Sequence, residues 1–138
     1  MNKPAEKSAI ERALTLLGAA LDKKASQLVL LEVRDFTSIA DYFIICSGRS
    51  DRQVQSIAQG IQEAAREAEI AVISIEGTSR GHWVLMDFAD VIVHIFYQPV
   101  REFYDLDGLW ADAPKVPLPE PYSTLVQQFQ IAAEQQHP

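Results

Sequence analysis

Residues 81–98, Gly-His-Trp-Val-Leu-Met-Asp-Phe-Ala-Asp-Val-Ile-Val-His-Ile-Phe-Tyr-Gln, constrain the fold more than any other stretch. Two apolar runs rich in β-branched and aromatic residues flank Asp87-Phe88-Ala89-Asp90, the pattern of a β-hairpin. A tight turn at Phe88-Ala89 pairs Asp87 with Asp90, Leu85 with Ile92 and Trp83 with His94. Side chains alternate across a sheet. One face then carries His82, Val84, Met86, Val91, Val93 and Ile95, nearly all apolar and suited to a core. The other carries Trp83, Leu85, Asp87, Asp90, Ile92, His94 and Phe96. Large aromatic groups mixed with polar ones suit a binding surface. They also suit a sheet covered on both faces, and the pairing alone leaves both readings open.

The rest of the chain supplies what such a hairpin needs. Ile10, Leu14, Leu17 and Leu21 recur at helical spacing and predict a helix over roughly 4–24, with Pro4 in its first turn. Leu28 to Val33 and Asp41 to Ser47 read as strands, antiparallel neighbours if the chain simply turns at 35–40. Ser50 and Gln53 form a capping box for a helix over 51–68 that buries Val54, Ile57, Ala58, Ile61, Ala65 and Ala68. Ala71 to Ile75 reads as a strand following a helix, hence parallel to an earlier one. Pro99 opens a short helix, with Gly108 as its C-terminal cap. Pro114, Pro117, Pro119 and Pro121 make a stiff linker. Leu125, Val126, Phe129 and Ala133 line one stripe of a last helix over about 122–135. The expected fold is α/β: a mixed sheet of about five strands with helices on one side, plus the Pro-rich linker and C-terminal helix. The expected division is a domain over 1–112, a linker over 113–121 and a helical tail over 122–138.

Composition narrows the function. The chain has 138 residues, 48% hydrophobic, and a formal charge of -7 from 12 basic and 19 acidic side chains. That balance argues against a nucleic-acid backbone as ligand, which needs clustered Lys and Arg, and fits a basic protein partner. Cys46 is the single cysteine. No intrachain disulfide can form, and a buried, unreactive thiol is expected. No signal-peptide block or membrane-length apolar run is visible, so a cytoplasmic protein without a membrane association is expected.

Ser47-Gly48-Arg49-Ser50 before a helix could cradle an anion, but it lacks the length and lysine of a P-loop; a helix cap is the simpler reading. It also resembles the Gly-Ser turn of nucleotidyltransferase folds. Those enzymes need two carboxylates one residue apart on the next strand to hold magnesium. Ala71-Val72-Ile73-Ser74-Ile75-Glu76 has no such pair. Asp105-x-Asp107 has the spacing but falls in the Pro99 helix or its exit. His82 and His94 point to opposite faces and share no metal. No catalytic, cofactor-binding or metal residue is therefore expected, and the alternative is a nucleotidyltransferase-type enzyme with an unrecognised metal site.

Several separated segments resemble the ribosomal silencing factor family, also called RsfS or Iojap. They are Ala40 to Ser50 with Arg52-Gln53-Val54, then Glu76-Gly77, Trp83 to Asp87, Val91 to Phe96, and Arg101 to Leu106 with Leu109-Trp110. The likeness runs over roughly 8–112. Glu32 and Asp107 stand where the family often has Asp and Glu, with charge kept. The resemblance implies a nucleotidyltransferase-like fold without catalysis. It implies binding to the large ribosomal subunit through its fourteenth protein, obstruction of small-subunit joining, and repression of translation when nutrients are scarce. It also implies a homodimer. On this reading Trp83, Leu85, Asp87, Asp90, Ile92, His94 and Phe96 are the partner-binding residues, and the linker and last helix lie outside the family pattern.

Overall fold

The computed structural model describes residues 8–135, with side chains described for 8–130. The expected place of Pro4 lies outside the described residues. The first helix, α1, spans Ala9–Asp22 and starts where the Ser8 side chain accepts the amide of Glu11, which satisfies one of the free N–H groups of the first turn. Strands β1 (Ser26–Glu32) and β2 (Tyr42–Gly48) follow and pair antiparallel. Next come α2 (Asp51–Glu67) and β3 (Ser74–Glu76), then β4 (Trp83–Asp87) and β5 (Val91–Tyr97). They are followed by α3 (Gln98–Tyr104), α4 (Leu106–Leu109) and α5 (Tyr122–Gln135).

The sheet has five strands in the order β1-β2-β5-β4-β3. Only β2 and β5 pair parallel. β4 runs antiparallel to β5, and β3 antiparallel to β4. Strand β3 thus runs in the direction of β2, as expected for a strand after a helix, although it sits at the far edge. It is shorter and later than the apolar run suggested. Ala71, Val72 and Ile73 are exposed and precede β3, which is the edge strand of the sheet.

The Ser50 cap forms as read, its hydroxyl accepting the Gln53 amide at 3.0 Å, but the reciprocal bond shifts by one residue: the Gln53 side chain accepts the Arg49 amide at 2.7 Å. Gly48 is confined by this turn, since a Cβ there would lie 2.9 Å from a Val54 methyl. Helices α1 and α2 bury Leu16, Leu17, Val54, Ile57 and Ile61 against Ile44, Cys46, Val84, Met86, Val93 and Ile95. This is the apolar hairpin face, now the main core. Burial pushes the Cys46 thiol up to about 12, so it stays protonated and inert.

The last helix docks on its own domain. Leu125, Val126 and Phe129 pack against the same cluster, together with Val116, Leu118 and Tyr122. The Pro-rich segment before it does more than span a gap. The Glu32 amide donates to the Pro114 carbonyl at 2.9 Å and the Val116 amide to the Leu30 carbonyl at 2.8 Å. Residues 114–116 thereby seal the open edge of β1, a common remedy for unpaired edge groups.

Two local readings are corrected. The hairpin turn is centred one residue later, on Ala89-Asp90. The Phe88 amide donates to Val91 O at 2.9 Å, and the Asp87 carboxylate accepts the Ala89 amide at 2.8 Å. Ala89 has φ 73, which the side-chain-closed turn holds in place. Trp83 therefore pairs with Phe96, Leu85 with His94 and Asp87 with Ile92. A two-residue change of register leaves the paired strand residues on their predicted faces, whereas Asp90 becomes part of the turn and is bound by Arg12 of α1. The second correction concerns Gly108, which lies inside α4 rather than capping a helix. Asp105 takes the left-handed conformation instead, with φ 48, and its carboxylate accepts the Gly108 amide at 3.1 Å.

Candidate functional site

The second hairpin face is not open. It forms a smaller core of Leu31, Val33, Ala40, Phe43, Ile45, Ile92 and Phe96, closed from outside by Leu106, Ala113 and Trp110. Helices α3 and α4 lie across this face, opposite to α1, α2 and α5. Trp110 meets Phe43 edge-on at 4.8 Å between ring centres.

The seven candidate contact residues consequently separate into three groups. Ile92, His94 and Phe96 are buried, so they support the surface from beneath and are not themselves available to a partner. This corrects their assignment as contacts: the α3–α4 segment covers them. Asp90 is not with the others at all. It sits at the turn, and its carboxylate is bound by the Arg12 guanidinium of α1, on the α1–α2 side of the sheet. Trp83, Leu85 and Asp87 remain half-exposed.

Trp83 is held on several sides. Its ring stacks on Phe96 at 4.8 Å and packs against Tyr104 at 5.1 Å. Its indole N–H donates to His94 Nδ1 at 3.2 Å. His94 is 5% exposed, and burial lowers its pKa to about 4. The ring is therefore neutral at pH 7, with its proton on Nε2, since Nδ1 is accepting. Nε2 is buried without a hydrogen-bond partner. A neutral imidazole whose one accepting nitrogen is already taken by the Trp83 indole is a packing element, not a general base.

Sequence reasoning missed the outer layer. Phe103, Leu109 and Tyr104 are 82%, 76% and 56% exposed. All three come from seven consecutive residues of the α3–α4 segment. Beside them a cleft of about 640 Å³ is lined by Gly77, Ser79, Arg80, His82, Trp83, Pro99, Val100, Phe103 and Tyr104. The signal was present as five large apolar residues, 103, 104, 106, 109 and 110, too many for one buried face of two short helices. Leu106 and Trp110 face inward and use up the available core. The remainder project outward as an apolar strip, an arrangement typical of interaction surfaces.

The carboxylates considered for a metal are already engaged. Asp105 caps α4, and Asp107 accepts two hydrogen bonds from Arg101 at 2.8 and 2.9 Å. Hydrogen bonding from Arg101 holds the Asp107 carboxyl below its ordinary range. Among the described residues no three His, Cys, Asp or Glu side chains are grouped to hold a metal ion. Nor is any helix among them long and apolar enough to cross a membrane.

The family model described as "Ribosomal silencing factor during starvation" matches residues 6–138. The match runs past residue 112, so the linker and last helix belong to the family pattern, contrary to expectation. A protein named ribosomal silencing factor RsfS from Halalkalibacterium halodurans is 44% identical over 102 residues, 74% of this chain and 87% of that one. The Bacillus subtilis protein of the same name is 45% identical over 93 residues, 67% of this chain and 79% of its own. A maize protein named chloroplastic Iojap is 32% identical over 107 residues, 78% of this chain and 46% of its own. A crystal structure from Chromobacterium violaceum superposes with a TM-score of 0.75 at 31% identity, covering 81% of this chain and 92% of that one. One from Bacillus halodurans gives 0.72 at 38%, covering 79% and 99%. With nearly its whole length matched by the family model, the chain belongs to the ribosomal silencing factor family.

Proposed function

We propose that this protein represses translation as a steric block. It docks on the large ribosomal subunit through the fourteenth large-subunit protein and prevents the small subunit from joining, chiefly when nutrients are scarce. The observation that carries this reading is the family match over residues 6–138. The surface that fits the role is the apolar strip of Phe103, Tyr104 and Leu109 with half-exposed Trp83 and Leu85 beside it. Ile92, His94 and Phe96 stiffen it from below. Asp87 at its border and the net charge of -7 suit a basic protein partner. The mechanism is obstruction in the cytoplasm, not catalysis: a nucleotidyltransferase-like framework whose candidate carboxylates serve as a cap and as an ion-pair partner. A homodimer would compete for the same apolar strip, because two copies in contact there bury what the ribosome would contact.

Cosedimentation with purified large and small subunits tests the proposal, with light scattering to follow subunit joining. The protein should pellet with large subunits only and suppress joining. Phe103→Ser and Leu109→Ser should each weaken binding at least tenfold, about 1.4 kcal/mol. Trp83→Ala should cost about 2 kcal/mol as a central aromatic anchor. Folded variants that bind and block like the parent would show that the strip is not the docking surface.

A further inference from the structure

We propose that Arg101 is a positioning residue for that docking surface: it makes no partner contact itself and latches the α3–α4 segment into the shape that presents Phe103, Tyr104 and Leu109. The inference rests on the docking role proposed above. It starts from an oddity of spacing. Arg101 and Asp107 are six residues apart, a separation that places side chains on different sides of a straight helix, where neighbours are three or four apart. They meet only because Asp105, in its left-handed conformation, breaks the chain between α3 and α4. Across that break Arg101 Nε and Nη2 grip both oxygens of Asp107 at 2.9 and 2.8 Å. This is the paired-donor geometry that only arginine supplies.

The same guanidinium reaches down into the sheet. Its Nη1 donates to the Gln27 carbonyl at 2.6 Å and to Ser47 Oγ at 2.9 Å. Gln27 lies where the β1–β2 register shifts, with φ 51, so its carbonyl is free of the regular ladder. The Ser26 hydroxyl donates to the Ser47 carbonyl at 3.2 Å, tying β1 to β2 at the same point. Arg101 is 7% exposed, and four of its five N–H groups are used by these bonds. One side chain thus joins α3, α4 and two strands.

The segment needs such a tie. Helices of seven and four residues are too short to persist by themselves. Inward apolar anchorage comes chiefly from Leu106 and Trp110, with Val100 partly buried. Of the outward residues only Tyr104 adds to it, through its ring contact with Trp83 at 5.1 Å. Without the latch, the strip would remain attached at Leu106 and Trp110 but lose its fixed orientation, and a partner would have to supply the ordering.

The test uses full-length Arg101→Met, Arg101→Lys, Asp107→Asn and the Arg101→Met/Asp107→Asn double variant. Each is checked for folding by circular dichroism, titrated against purified large subunits, and followed by amide hydrogen exchange. Arg101→Met should lower affinity at least tenfold, Asp107→Asn three- to tenfold, and the double variant no further than Arg101→Met alone. Arg101→Lys, which keeps the charge but not the paired donors, should not restore binding. Exchange should quicken over 98–113 while β2 and β5 stay protected. Should Arg101→Met fail to fold, Arg101→Lys and Asp107→Asn carry the same comparison, since Asp107 is partly exposed. Additive losses, or loss in Asp107→Asn with unchanged exchange, would overturn the latch by making these residues independent or direct contacts. Weak binding by Phe103→Ser and Leu109→Ser with normal binding by all the latch variants overturns this inference alone. Normal binding by Phe103→Ser and Leu109→Ser removes the docking surface, and the latch with it.

Discussion

Acid should loosen this protein at a pH set by one buried ring. His94 is neutral in the fold, with its pKa lowered from 6.5 to about 4 by burial. Protonation therefore favours the unfolded chain. The stability tied to the neutral ring is fully present above about pH 6.5 and disappears as pH falls towards 4. A gap of about 2.5 units corresponds to about 3 kcal/mol at the acid end, and about 2 kcal/mol is already gone at pH 5. The geometry sharpens the effect. The Trp83 indole N–H points at Nδ1, so a proton placed there would set two donors against each other. Urea unfolding at pH 7, 6 and 5, for the parent and for His94→Phe, reads this directly. The phenyl ring keeps the contacts with Phe43 and Phe96 but leaves the indole N–H unpaired, costing about 1–2 kcal/mol at every pH. The slope with pH is the decisive quantity. The parent should lose about 2 kcal/mol between pH 7 and 5, and the variant much less. Asp107 does not confuse the window: its folded pKa is lowered from 3.8, so its contribution is lost only below that value. Equal slopes in the two proteins would refute the reasoning.

Two further outcomes are expected. Truncation after Ala113 should cost roughly 3 kcal/mol or more in urea unfolding, because it removes Val116, Leu118, Tyr122, Leu125, Val126 and Phe129 and uncovers the core they pack against; where the product folds, large-subunit binding should stay within about threefold, or 0.7 kcal/mol. Gly77→Ala should destabilise by several kcal/mol in the same assay, roughly 3 or more, because Gly77 has φ +87 and an added Cβ would lie 2.1 Å from the Trp83 carbonyl oxygen.

The sequence spoke most clearly where one physical signal decided the outcome. The apolar hairpin face, the α2 cap at Ser50 and the inert Cys46 each followed from periodicity, hydrogen-bonding chemistry or burial. Face assignment in the hairpin even survived a misplaced turn, because an alternation of two is indifferent to an even change of register. The turn itself was harder. Nothing about Ala89 advertises a left-handed residue, since that conformation usually selects Gly, Asn or Asp. It is fixed by the Asp87 side chain, a local bond that propensity does not record. Likewise Gly108 looked like a helix stop, whereas its lack of a side chain makes room for the Asp105 cap: an added Cβ would lie 2.2 Å from the Asp105 carboxylate.

Three of the seven candidate contact residues, Ile92, His94 and Phe96, lie one layer below the surface, and the reason is general. Trp83, Leu85, Ile92, His94 and Phe96 have the composition of either an interface or a small second core, and composition cannot distinguish them. What decides is how much chain is available to cover them. Here that is an eleven-residue pair of helices held by Leu106, Trp110 and Arg101. It is enough to bury Ile92, His94 and Phe96, but too little to bury its own Phe103, Tyr104 and Leu109. Covering one apolar face with so short a segment therefore moves the exposed apolar surface outward instead of removing it, which leaves an exposed apolar strip on α3–α4 with the hairpin as its foundation.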